Sequence, residues 1–169
     1  MDSRFRGNDD EGVPADKSAR PPLAGPASAH DMTVVNAITE IQEEYEFLDA
    51  DDRYRLLIDL GRALDDMPDA LKTDATLVRG CSAAVWVYPT RTGDGRLHFL
   101  ADSNAAITKG IIALILQIVQ DRTPAELVTL AIEDVLEPFD LKNQLSSNRT
   151  QGIPNMIALI RQTAERYAV

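Results

Sequence analysis

The chain has 169 residues, 27 acidic against 17 basic side chains for a net charge of −10, 1 cysteine and 2 histidines. That length supports one domain with a self-sufficient core, while a single cysteine excludes an internal disulfide and any Cys-rich zinc or iron–sulfur site, and His30 and His98 lack metal-ligand spacing. The acidic balance repels phosphate backbones and anionic lipid, so neither nucleic acid nor membrane is expected as a partner and other proteins are.

Residues 1–31 are rich in Pro, Gly, Ala, Ser and charge and offer almost nothing apolar to bury, which predicts a disordered N-terminal extension before a domain over 32–169. Met32 is a candidate alternative start. No apolar leader follows the N-terminus and the lone thiol suits a reducing compartment, so a cytoplasmic protein is expected. Val34, Ile38, Ile41, Tyr45 and Leu48 recur at helical spacing and predict a first helix. A second is expected from Asp52 to Leu64, capped by Asp51 and striped by Tyr54, Leu57, Ile58, Gly61 and Leu64, the two helices forming a hairpin.

"TLVRG" and "AAVWVYPT" then turn to β-branched and aromatic residues, and "RTGDGR" supplies a Gly-rich reversal into "RLHFLADS". This predicts a β-hairpin with an extra strand before it. Val85 and Val87 fall on one face and Trp86 and Tyr88 on the other; Leu97, Phe99 and Ala101 likewise oppose His98 and Leu100. Asp102, Ser103 or Asn104 is expected to cap the next helix, which runs to about Gln120 and is apolar almost all round, as a central core helix is. Its longest apolar stretch, "GIIALILQIV", is about half a membrane span. Thr123, Pro124 and Glu126 form a capping-box arrangement for a short helix. Ile153, Met156, Ile157, Ile160, Ala164 and Tyr167 stripe a C-terminal helix that tolerates Pro154 in its first turn. Helices and strands are thus segregated, and the expected fold is α+β with a small three-stranded antiparallel sheet packed against helices.

The candidate reagent is Cys81, in "LVRGCSAAVW" between two of the expected strands. Gly80 permits a turn, and Ser82, Ala83 and Ala84 leave space around the sulfur; burial and reactivity stay equally open. A dithiol redox mechanism needs a resolving cysteine that the chain lacks. A Cys81/His98 hydrolase requires the two side chains within reach of each other, although His98 reads first as a half-exposed strand residue. Arg79 and Arg149 are the cations able to favour a Cys81 thiolate, Arg149 from a polar connection, "LSSNRTQG", of the sort that often carries function. The acidic run "EIQEEYEFLDADDR" reads as a solvated helix face. Lys109 beside Gly110 inside an apolar helix implies either a snorkelling lysine or a backbone packed closely on the glycine.

Taken together, "LLIDLGRALDDMP", "LVRGCSAAVW", "FLADSNAAITKG", "GIIALILQIVQDRTPAEL" and "LSSNRTQGIPNMIALIR", in that order and spacing over about 38–168, resemble the SufE family of cysteine desulfuration proteins. The resemblance implies that Cys81 accepts persulfide sulfur from a pyridoxal-phosphate cysteine desulfurase of the SufS type, stimulates it, and relays the sulfur to an iron–sulfur cluster scaffold. It implies no cofactor on this chain, the PLP being the partner's, and a monomer or weak homodimer. Arg149 matches a family arginine that stabilises the loop or the thiolate, while Asp102, Ser103 and Lys109 match positions read first as structural. The rival readings are a regulatory adaptor of a desulfurase with an incidental cysteine, and the Cys81/His98 hydrolase.

Overall fold

The computed structural model describes residues 29–144 and 152–168. Helix α1 spans Ala29–Phe47, so it starts ahead of Val34, and its first residues, 29–31, belong to the segment expected to lack structure; residues 1–28 lie outside the described residues. Ile38 and Tyr45 of its stripe are buried, with Tyr45 set against Phe139 at 5.2 Å between ring centroids. The turn that follows is tied down by Arg53, whose Nε donates to the Tyr45 carbonyl at 2.9 Å while its guanidinium lies 4.7 Å from the Tyr45 ring centre.

Helix α2 covers Ala50–Arg62 and is capped by Asp49 rather than Asp51: the Asp49 carboxylate accepts from the Asp52 N–H at 2.9 Å. The local sequence "DADD" holds three residues able to cap, and the one that leaves both following acids in the positive first turn is used. The main packing partner of α2 is not α1 but α3, Ala106–Val119. The two backbones meet where Gly61 faces Gly110. A Cβ on Gly61 would lie 2.7 Å from the Gly110 nitrogen, and one on Gly110 would overlap the Leu57 carbonyl. Close backbone approach is therefore what Gly110 supplies. Lys109, next to it, is half-buried and reaches Asp102.

Strands β1 (Val85–Arg91) and β2 (Leu97–Ser103) form an antiparallel hairpin in which Val85 pairs with Ser103 and Arg91 with Leu97. The reversal is closed by Thr92 N–H to Arg96 O at 2.8 Å and by Gly95 at φ +84°, a conformation that suits glycine. The expected faces hold: Val85, Val87, Leu97, Phe99 and Ala101 are buried. The expected third strand does not form. "TLV" makes one antiparallel bridge, Leu77 opposite Trp86, flanked by Val87 N–H to Thr76 O and Val78 N–H to Val85 O. A turn ending at Thr76 and the left-handed Gly80 leave too few extended residues between them for a ladder. The sheet is therefore two-stranded, with its other edge covered by the Leu97–Arg122 bridge and by Gln120, whose side-chain amide exchanges two hydrogen bonds with the Phe99 backbone at 2.7 and 2.8 Å.

Helix α3 is buried on nearly every face, as its composition implies, with only its first residue, Ala106, and Gln117 exposed. None of the three expected capping side chains caps it. Its N-cap is Ala105, because Asp102 is engaged by lysines, Asn104 by Ala84, and Ser103 reaches only the Ala105 N–H, at 3.2 Å. Helix α4, Pro124–Thr129, has the expected capping box between Thr123 and Glu126. Short helices α5 (Ile132–Leu136) and α6 (Leu141–Gln144) lead to α7, Gly152–Ala168, which packs on α4 and buries Met156, Ile157, Ile160 and Ala164. Tyr167, expected on that stripe, is partly exposed, with the Arg91 guanidinium 5.7 Å from its ring centre.

The α2–α3 crossing is tested by Gly110→Ala, which is expected to lower stability by about 3 kcal/mol in urea unfolding because backbone atoms of Leu57 cannot yield to the new methyl group. Gly93→Ala, with open space around its Cβ position, is the control and is expected to stay within about 0.5 kcal/mol of wild type.

Candidate functional site

Cys81 lies in the loop between the Leu77 bridge and β1, beside the N-terminal turn of α7. Gly80, at φ +85°, reverses the chain just before it. The loop is held at both ends. At its start the Asn155 side-chain amide donates to the Arg79 carbonyl at 3.1 Å; at its end the Ala84 N–H donates to Asn104 Oδ1 at 3.1 Å and the Asn104 N–H returns a bond to the Ala84 carbonyl at 3.3 Å.

The thiol is half-buried and packs against the hydrophobic core. Its sulfur takes the space that a side chain at position 152 would need, since a Cβ built on Gly152 would sit 2.6 Å from Cys81 Sγ. Beside it is a cavity of about 20 Å³ walled largely by Ile111, Ile112 and Ile115 of α3 and by Ile153 and Met156 of α7. That volume suffices for about one water molecule, and the apolar walls offer a water few partners. Burial pushes the Cys81 thiol above its ordinary titration range, so the resting group is the neutral thiol. What the loop can do chemically is hold one sulfur nucleophile out of bulk water, with room beside it for one further atom.

The other predicted site residues are placed as follows. Arg79 is exposed, and its contact with α7 is made by its carbonyl oxygen. Arg149 lies outside the described residues. His98 pairs with Thr90, five residues along β1 from Val85 and hence about 17 Å further down the hairpin at strand rise. Its Nδ1 is 2.8 Å from Asp121 Oδ1. The structure does not bring His98 to Cys81, so the geometry a cysteine hydrolase needs is missing. Among the described residues no cluster of His, Cys, Asp or Glu could hold a metal ion, and no helix is long and apolar enough to cross a membrane.

Asp102, at the end of β2, ties the region together. It accepts from Lys72 Nζ at 2.6 Å, from Lys109 Nζ at 3.2 Å and from the Ser103 N–H at 2.8 Å, while Lys72 lies 5.8 Å from the Trp86 ring centre. Burial alone would raise the Asp102 carboxyl, but those hydrogen bonds outweigh it and hold the group below the usual carboxylate range. Sequence reasoning missed Lys72, Asn104, Gly152 and Asn155 as partners of the site. Gly152 at a helix start was a usable signal for close approach; nothing local marks Asn155, whose contact spans 76 residues.

Comparison with known proteins gives consistent results. The model of the SufE family, described as an Fe-S metabolism associated domain, matches residues 39–164. An uncharacterized SufE-like protein of Rhizobium meliloti (strain 1021) is 33% identical over 135 residues, which is 78% of this chain and 96% of that protein. The sulfur acceptor protein CsdE of Escherichia coli (strain K12) is 38% identical over 103 residues, 61% of this chain and 70% of its own length. The solution structure of a hypothetical protein from Thermus thermophilus shares the fold, with a TM-score of 0.62 at 12% identity, covering 80% of this chain and 95% of that one.

Two measurements check the geometry. Alkylation of Cys81 by iodoacetamide is expected to rise with pH through a midpoint above that of an ordinary thiol, about 8.5, and to revert to the ordinary value in urea. Asp102→Asn is expected to cost about 1 kcal/mol in neutral urea unfolding. A depressed carboxyl stabilises the fold above its unfolded-state value and loses that effect as pH falls through the folded one, so the difference from wild type is expected to close in acid.

Proposed function

This chain belongs to the SufE family, and from that premise we propose that it is a sulfur acceptor which takes persulfide sulfur from a cysteine desulfurase onto Cys81. The observation that carries the reading is the seat of the only thiol: a loop cysteine, half-buried, beside an apolar cavity of about 20 Å³. A similar protein of known role, CsdE, is named a sulfur acceptor.

In the reaction the Cys81 thiolate attacks the outer sulfur of the desulfurase persulfide. A new S–S bond forms at Cys81, the S–S bond on the desulfurase breaks, and the desulfurase cysteine leaves as a thiolate ready for another turnover. No external oxidant or reductant is consumed, because the sulfane sulfur moves with its oxidation state unchanged. The chain contributes a nucleophile and a shelter and leaves carbon–sulfur cleavage to the partner, so it acts as a carrier and activator and not as a stand-alone enzyme. Pyridoxal phosphate belongs to the partner, for which a desulfurase of the SufS type is the proposed class, and the onward recipient is an iron–sulfur cluster scaffold in the cytoplasm. Arg149 is proposed to steady the loop or the thiolate.

The apolar seat suits this work. A persulfide exposed to water is open to attack by other thiols and oxidants, and the cavity accepts an added sulfur without displacing a charged group. It also raises the thiol, so efficient attack requires the sulfur to leave its seat when the partner docks.

Incubated with a cysteine desulfurase, cysteine and PLP, the protein is expected to gain one sulfur atom on Cys81 by intact mass, and Cys81→Ser none. The serine variant is expected to fold and to bind the desulfurase without stimulating it. Sulfur on the serine variant at the wild-type level, or undiminished stimulation by it, refutes the acceptor role; the second result favours an adaptor with an incidental cysteine.

A further inference from the structure

We propose that Asn155 is a positioning residue that sets how readily Cys81 leaves its seat, by holding the start of the loop through the Arg79 carbonyl. One turn of α7 touches the loop twice. Gly152 abuts the Cys81 sulfur, and Asn155, three residues on and so on the same helix face, donates its side-chain amide to Arg79 O at 3.1 Å. Gly80 sits between these contacts in the left-handed conformation, and a Cβ there would collide with the Asn155 amide nitrogen. The turn, the amide and the inward sulfur therefore fit only as a set.

The two ends of the loop are held unequally. Its end has a side-chain and a backbone bond between Ala84 and Asn104, next to the paired start of β1. Its start has the Asn155 bond alone; that bond and the Ala84–Asn104 side-chain bond are both exposed to water, so the imbalance is one of number, one bond against two. Below it, Val78 N–H is fixed to Val85 O at 2.8 Å. The opening segment is thus Arg79–Ala83, hinged at Gly80, and giving up one hydrogen bond from Asn155 is the step that frees it. Closed, the bond keeps the thiol inward; released, it lets the same thiol face a partner.

The functional meaning of this catch rests on the sulfur-acceptor reading, but its test does not, because any small electrophile reports exposure of Cys81. Asn155→Leu keeps the volume and loses the donor, and Asn155→Ser is a smaller variant whose hydroxyl falls short of Arg79 O. Both are expected to react with iodoacetamide about fivefold faster than wild type across the whole pH profile, the change that loss of one exposed hydrogen bond gives. The midpoint of the profile is expected to stay unchanged, and the urea unfolding midpoint to fall only by the small amount that one hydrogen bond accounts for. Wild-type alkylation rates in both variants overturn the proposal, and so does an equal acceleration in Gly110→Ala, whose loss of stability arises at the α2–α3 crossing and not at the loop. A wild-type protein that fails to take up sulfur from a desulfurase, with the alkylation difference intact, contradicts the acceptor reading alone.

Discussion

Helix α3 is buried on nearly every face, and the rest of the fold takes its position from it. A helix so apolar must be enclosed, and each enclosing element carries a feature suited to its side. On one side α2 approaches to backbone contact because Gly61 and Gly110 have no side chains there. The hairpin presents the Val85, Val87, Leu97, Phe99 and Ala101 face to the core. Its outer edge is closed by the residues just after α3, through Gln120 and the Leu97–Arg122 bridge. Asp102 then fixes the passage from β2 into α3 by drawing in Lys72 and Lys109.

The Cys81 loop is where this enclosure is thinnest. The isoleucines of α3 form part of the floor, the first turn of α7 forms a wall, and the loop lines the remaining side with Cys81, Ser82 and Ala83. A cysteine chosen only for packing would be expected to fill its space; this one leaves a cavity of about 20 Å³ beside it. The loop is fastened by side-chain amides, Asn155 at one end and Asn104 at the other, instead of by a sheet ladder. Such a fastening gives a definite resting position together with a low cost of release. On the proposed reading, shelter and access, which oppose each other in a rigid site, are separated in time.

Much of this was legible in the chain. The helical spacing of Ile38 and Tyr45 in α1, the apolar α3, the Met156, Ile157, Ile160 and Ala164 stripe of α7, the capping box at Thr123 and the reversal at Thr92 to Arg96 all express local periodicity or turn chemistry, and the structure has them. The departures are equally physical. "TLV" has strand composition, but turns on either side cut it to one bridge. Asp49 caps α2 in place of Asp51 because neighbouring acids compete for one role. The end of β2 supplied three capping residues, yet tertiary partners recruited Asp102 and Asn104 first. For the site, the sequence identified Cys81 and its turn but left burial and reactivity balanced. Long-range contacts with Gly152 and Asn155 decided for partial burial, and no local pattern encodes them. Arg149 lies outside the described residues, so its proposed role continues to rest on the family match.

The proposed acceptor role requires a persulfide kept in an apolar seat until a partner calls it out. The most direct measurement is the rate at which cyanide removes the sulfane sulfur from sulfur-loaded protein, native and unfolded in urea. The expected result is slow removal from the native protein and rapid removal once the seat is lost. Equal rates in the two states would contradict the account, because Cys81 would then carry its sulfur with no protection from the fold.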